Sequence, residues 1–207
     1  MTSANQASQT EIRIREFLKT RDRVRPSVSS TLVRLNDWMT TIESGQAEDG
    51  LNFISARARL HPGSEIVETI ADGLIDEADH VERNLLSKSL QETILYCVSF
   101  KTDASYEQLV TRLLRYIARH RTASVAERFL SLYFFNFVWF RTGESFRAVA
   151  WSSDSFEKDM ENVERICCHV VASVWTPFQE TKRVLSRATA AELVRKIEHR
   201  LRGPALR

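Results

Sequence analysis

Twelve consecutive residues, Phe129 to Phe140, hold seven aromatic rings and no charge. A helix turns about 100° per residue, so over this run it carries rings on every side and has to be covered on every side. Arg128 and Arg141 bracket the run, and twelve helical residues reach only about 18 Å, against the roughly 30 Å hydrocarbon core of a bilayer. The run therefore predicts the central helix of a bundle, wrapped by its neighbours, and no membrane span. A sharper alternative leaves one side of it open as a partner groove, with Phe134, Phe137, Trp139 and Phe140 as the contact residues.

The rest of the chain can supply that wrapping. Of 207 residues 43% are hydrophobic, with only 6 Gly and 4 Pro, and the apolar positions recur at three and four with no strand-length alternation. The expectation is an all-α fold, a single compact bundle of about eight to ten helices around the aromatic one. The domain is expected over residues 11–203, with a frayed polar tail at 1–10, a second tail at 204–207 and a sub-boundary near 61–64, where His61-Pro62-Gly63 reads as a turn. Residues 1–10 lack the charged and apolar regions of a targeting signal. Cys97, Cys167 and Cys168 are odd in number with two adjacent, which builds no disulfide framework and suits a reducing cytoplasm.

Helix ends are expected where local chemistry supplies them. Ser27 to Ser44 carries Val28, Leu32, Leu35, Trp38, Met39 and Ile42 at helical spacing, before Gly45 and a polar loop to Gly50. Leu85, Leu86, Leu90, Ile94, Leu95 and Val98 sketch one inward face, and Leu109, Leu113, Leu114, Tyr116 and Ile117 another, the latter capped by Asp103 or Ser105. Ser124-Val125-Ala126-Glu127 has the form of a capping box opening the aromatic helix, and Gly143 stands where a terminating glycine belongs. A helix from about Phe156 to Val174, capped at Asp154, is expected to break at Thr176-Pro177. A last one should run from Thr189, boxed with Glu192, to Arg202.

Net charge is +2, but it is unevenly spread. Seven acidic residues and no Lys or Arg lie between Glu65 and Glu82, whereas eight basic residues face two glutamates from Lys182 onward. Glu68, Asp72, Asp76 and His80 recur every four residues, so one continuous helix lines them up on a single face. Glu77 to His80 also has the Glu-x-x-His form used by diiron bundles, which need a second such element that this chain lacks. The acidic row, Glu68, Asp72 and Asp76, is accordingly expected to meet a partner and not a metal. Cys167-Cys168-His169 is too closely spaced for zinc, and no nucleotide loop or nucleophile elbow is present. No metal and no cofactor are expected.

Arg112, Arg115 and Arg119 share a helix face, and Arg195 and Arg200 lie in the crowded basic tract of the last helix. These five are the candidate phosphate-binding residues. Arg115 and His120 are separated by four residues. This spacing resembles the Arg-x4-His motif of HEPN-type ribonucleases, all-helical proteins in which two such motifs meet at a dimer interface. The resemblance implies that Arg115 and His120 act as catalytic groups at a scissile phosphate of RNA. With 23 Arg and five His in the chain, one match of this kind arises by chance. Tyr116 also occupies the place where that motif usually carries a polar residue.

The leading expectation is a non-enzymatic cytoplasmic binding or adaptor protein, a subunit of a larger assembly, whose partner is another protein or a second copy of the chain. The alternative is a nucleic-acid-binding component, in its strongest form an RNA-cleaving one that uses Arg115 and His120.

Overall fold

The helical period resolves into α1 (residues 10–16), α2 (Pro26–Ser44), α3 (Asn52–Ala58), α4 (Ser64–Leu74), α5 (His80–Val98), α6 (Tyr106–His120), α7 (Thr122–Val149), α8 (Ser153–Glu180) and α9 (Arg187–Arg202). The computed structural model describes residues 10–16, 18, 26–44, 52–61, 64–99, 105–150, 152–181 and 183–203, and contains no strand among them. Both polar tails beyond Thr10 and Gly203, the 45–50 loop, Pro62-Gly63 and the Asp103 cap lie outside the described residues. Thr10, expected in the N-terminal tail, is helical and buried.

α7 is the axis of the bundle. Its 28 residues extend about 42 Å, and α2, α5, α6 and α8 all pack on it. Val125, Phe129, Leu130, Tyr133, Phe134, Phe137 and Val138 are buried, while Phe135 and Trp139, on the remaining side, are half-buried, so the helix is covered over most of its circumference, as its apolar content requires. Tyr133 meets the edge of Phe134 at 5.5 Å and stacks with Phe137 at 6.2 Å. Pairs of this kind add about 0.5–1.5 kcal/mol beyond the area they bury. The one amide in the run, Asn136, is buried too, donating to Ser89 Oγ at 3.1 Å and Glu92 Oε2 at 2.9 Å on α5. A buried polar group fits only where its partners stand, so Asn136 fixes how α7 sits along α5.

Other faces follow their stripes: Val28, Leu32, Leu35, Trp38 and Met39 on α2, Leu86, Leu90, Ile94, Cys97 and Val98 on α5, and Leu109, Leu113 and Ile117 on α6 are all buried. One continuous buried cluster joins residues from Ile14 to Leu201. α3 and α4, on either side of the expected sub-boundary near 61–64, share it and pack together. No helix among the described residues is long and apolar enough to cross a membrane.

Several helix ends differ from expectation. The acidic row is broken: α4 ends at Leu74, residues 75–79 are non-helical, and Asp79 caps α5 by accepting from Glu82 N–H at 3.0 Å. Ser124 does not cap α7; its hydroxyl donates back to the His120 carbonyl. The α6–α7 corner is instead a single residue, Arg121, at φ 67° and ψ 155°. Gly143 does not end α7, because the helix runs on to Val149. A Cβ at Gly143 would stand 2.8 Å from the Trp139 ring, so the glycine is a seat for that ring. Ser152 and Ser155, not Asp154, box the start of α8. Likewise Ser186 and Thr189, not Thr189 and Glu192, box α9. Helix α8 also passes through Pro177 to Glu180.

Candidate nucleic-acid interface

On α6 the buried stripe of Leu109, Leu113 and Ile117 leaves Arg112, Arg115, Tyr116 and Arg119 as the adjoining face, since residues three and four apart lie one above the other. That face meets the last turn of α5, where Cys97 and Val98 turn inward and Tyr96 turns out with 56% of its surface exposed. Between them is a cleft of about 520 Å³ lined by Tyr96 to Ser99 from α5 and by Arg112, Arg115, Tyr116, Arg119 and His120 from α6. Among the described residues no carboxylate lines it.

Rings and guanidinium groups interleave there. Tyr116 and His120 lie 4.6 Å apart at 36°, and the Tyr96 edge meets Tyr116 at 6.3 Å. Arg128 of α7 sits 4.4 Å from the Tyr96 ring centroid while pairing with Glu164 of α8 at 3.5 Å. Tyr96 is therefore held in place from one side while more than half of it meets water. Arg112 donates to the Ser99 carbonyl at 3.0 Å, where the free carbonyls at the end of α5 attract a cation. Arg115 and Arg119 pair with no carboxylate among the described residues.

Neither Cys97 nor Tyr116 adds negative charge to the cleft around neutral pH. Burial pushes the Cys97 thiol up to about 12, and burial with Cys97 and Tyr96 nearby pushes Tyr116 up to about 12. Neither contributes an anion against the arginines, and Cys97 offers no thiolate nucleophile. Both non-glycine residues with positive φ among the described residues adjoin this place, Ser99 at 46° in the lining and Arg121 at 67° directly after His120. Strained backbone of this kind persists where surrounding structure imposes it and tends to gather at functional sites.

The cleft unites Arg112, Arg115, Arg119 and His120 of the expected residues. Arg195 and Arg200 are elsewhere, in a second cleft between α8 and α9 that shares no lining residue with the first. Arg200 also serves the fold, because Pro177 has no N–H for the Ser173 carbonyl four residues before it, and Arg200 Nη1 donates to that carbonyl at 3.1 Å. The aromatic groove is reduced, because Phe134 (0%) and Phe137 (5%) are buried in the chain's own core. Trp139 is half-buried with Phe156 at 5.4 Å, and Phe140 is 55% exposed. Glu68 and Asp72 are exposed on α4, while Asp76 pairs with Arg34 at 3.8 Å and Arg187 at 3.3 Å and so ties α2 to α9. Among the described residues no group of three His, Cys, Asp or Glu could hold a metal ion.

Sequence reasoning missed Tyr96, Ser99 and Arg128, and it turned Leu95 inward although Leu95 is 41% exposed. The signal was present for Tyr96 alone, as the one ring of α5 lying off the Leu86-Leu90-Ile94-Cys97 stripe. Comparison with protein-family models, with curated proteins and with solved structures finds no match.

Proposed function

We propose that the chain is a non-enzymatic binding subunit that holds single-stranded nucleic acid in the α5/α6 cleft, with phosphates at Arg115 and Arg119 and a base on Tyr96. The observation that carries this reading is the lining among the described residues: three guanidinium groups, two tyrosines and a histidine, with no carboxylate. Guanidinium matches a phosphate in both charge and paired N–H donors. An exposed ring offers a flat platform to any base, worth about 1–3 kcal/mol. A duplex hides those base faces in its stack and is read in its grooves instead, which favours a single strand here.

The test is fluorescence anisotropy with labelled single-stranded RNA and DNA of mixed sequence, titrated at several salt concentrations against the matching duplex. Arg115→Ala/Arg119→Ala should weaken single-strand binding and flatten the log–log salt slope by about 1.4, at roughly 0.7 for each phosphate no longer neutralised. Tyr96→Ala should weaken binding with little change in that slope. A duplex preference, or a salt slope unaltered in the arginine variant, would overturn the reading.

A second reading, RNA cleavage, is favoured by one observation: Arg115 and His120 line the same cleft and Tyr116 packs against the imidazole. In that case His120→Ala abolishes cleavage of the labelled RNA while binding and fold persist. Intact RNA after long incubation with the wild-type protein would eliminate it.

A further inference from the structure

The second cleft, between α8 and α9, differs in chemistry from the first. Its volume is about 630 Å³, larger than a single side chain needs, and its apolar lining is Val174, Phe178, Leu193 and Pro177, of which Pro177 is exposed and Phe178 half-buried; these four are its hydrocarbon floor. Among the described residues the cleft also has four cations, Arg183, Arg195, Lys196 and Arg200, with His199, against the single carboxylate of Glu192. Glu192 is already engaged by Lys196 at 2.7 Å and Arg183 at 3.5 Å. Arg200 is bonded to the neutral Ser173 carbonyl and hydroxyl, so its charge is not cancelled.

From this pattern we infer that the α8/α9 cleft is a docking site for an acidic amphipathic segment of a partner protein, whose apolar side chains cover the floor while its carboxylates meet the cationic rim. The two halves of the cleft require both halves of that chemistry. A phosphodiester strand would satisfy the rim but leave the hydrocarbon floor against water, and the Phe178 ring is tilted against Trp175 at 5.7 Å. A second copy of this chain offers acidic Glu68 and Asp72 on α4, but the apolar residues of α4 are buried in its own core and cannot reach a floor. Apolar burial with complementary rim charges is the usual division of labour in helix-in-groove recognition, the first giving affinity and the second orientation and partner choice.

The site is independent of the α5/α6 cleft and can be tested apart from it. A display library of random peptides is panned in parallel on the intact protein and on Arg195→Glu/Lys196→Glu, whose positions are exposed. Circular dichroism first verifies that the variant folds. Enriched peptides should combine Asp or Glu with Leu, Ile, Phe or Trp at helical spacing, and their recovery on the variant should fall at least about tenfold, since like charges across an interface cost several kcal/mol. His199→Glu, at another exposed rim position, should act in the same direction and serves if the double variant does not fold. Enriched peptides without acidic residues, or recovery equal on wild type and variants, would overturn the inference. So would self-association in sedimentation that the variants abolish, or a loss of single-stranded RNA binding in them equal to that of Arg115→Ala/Arg119→Ala.

Discussion

Two single residues carry tensions that the rest of the fold sustains. Arg121 joins α6 to α7 at φ 67° and ψ 155°, a region occupied almost only by glycine and costing about 1–3 kcal/mol for other residues. Arg121→Gly should therefore stabilise the protein by about 1 kcal/mol once the added freedom of the unfolded chain is deducted. Urea denaturation checks this; a destabilised variant would mean that the Arg121 side chain contributes more than its backbone costs. Glu127, half-buried on α7, has its carboxyl pushed above the ordinary range by burial. A folded pKa raised above the unfolded one favours the fold at low pH and loses that contribution as pH rises through the folded value. Glu127→Gln should raise Tm at neutral pH, and the gain should close below about pH 4, where the unfolded glutamate is protonated as well. A gain that persists at low pH would assign the effect to something other than ionisation.

At the scale of elements, α8 shows how a breaker is overruled. Proline inside a helix removes one hydrogen bond and crowds the carbonyl four residues earlier, at a cost of about 3 kcal/mol, yet α8 continues to Glu180. Arg200 of α9 supplies the donor that Pro177 lacks. Arg200→Ala should cost about 1–2 kcal/mol in the native background, as for a bond to a charged donor. In a Pro177→Ala background it should cost much less, because the new N–H takes over the Ser173 carbonyl. Chemical denaturation of the four proteins gives the coupling, and simple additivity would show that Arg200 does not support the proline. The seat at Gly143 acts in the same way on α7, where the Trp139 ring fills the place a Cβ would take.

Across the whole molecule, most apolar side chains lie in the core, and several of those left at the surface lie beside cations. The aromatic helix gives most of its rings to the core and leaves Phe140, beside Arg141 at 5.4 Å, exposed in the C-terminal half of α7. Phe140→Asp should leave Tm within about 0.5 kcal/mol equivalent of wild type, as exposed substitutions do. If a protein partner binds over Phe140, the same change should prevent its co-purification. A large loss of stability in thermal melts would place Phe140 among the structural rings instead. The two basic clefts sit on different helix pairs, α5/α6 and α8/α9, so binding through one need not obstruct the other.

The core was legible because burial follows the 3.6-residue period. Leu86, Leu90 and Ile94, or Leu109, Leu113 and Ile117, face inward wherever the helices finally pack, and a run of twelve uncharged residues, ten of them apolar, at Phe129 to Phe140 had to be largely covered. The same period placed Arg112, Arg115 and Arg119 on one face, since all three belong to one helix. Helix ends were read less well, because Gly143 and Pro177 are breakers by local chemistry and were overridden by contacts from Trp139 and from Arg200, 23 positions along the chain from Pro177. The acidic row failed for a related reason: Asp79 caps α5 and turns the chain, so Asp76 leaves the face of Glu68 and Asp72 for Arg34 and Arg187. Local spacing alone determined which residues share a face. Which faces meet, and hence that Tyr96 and Arg128 join the α6 arginines in one cleft, was decided by packing between helices, because those contacts link residues too far apart for any short-range pattern to record.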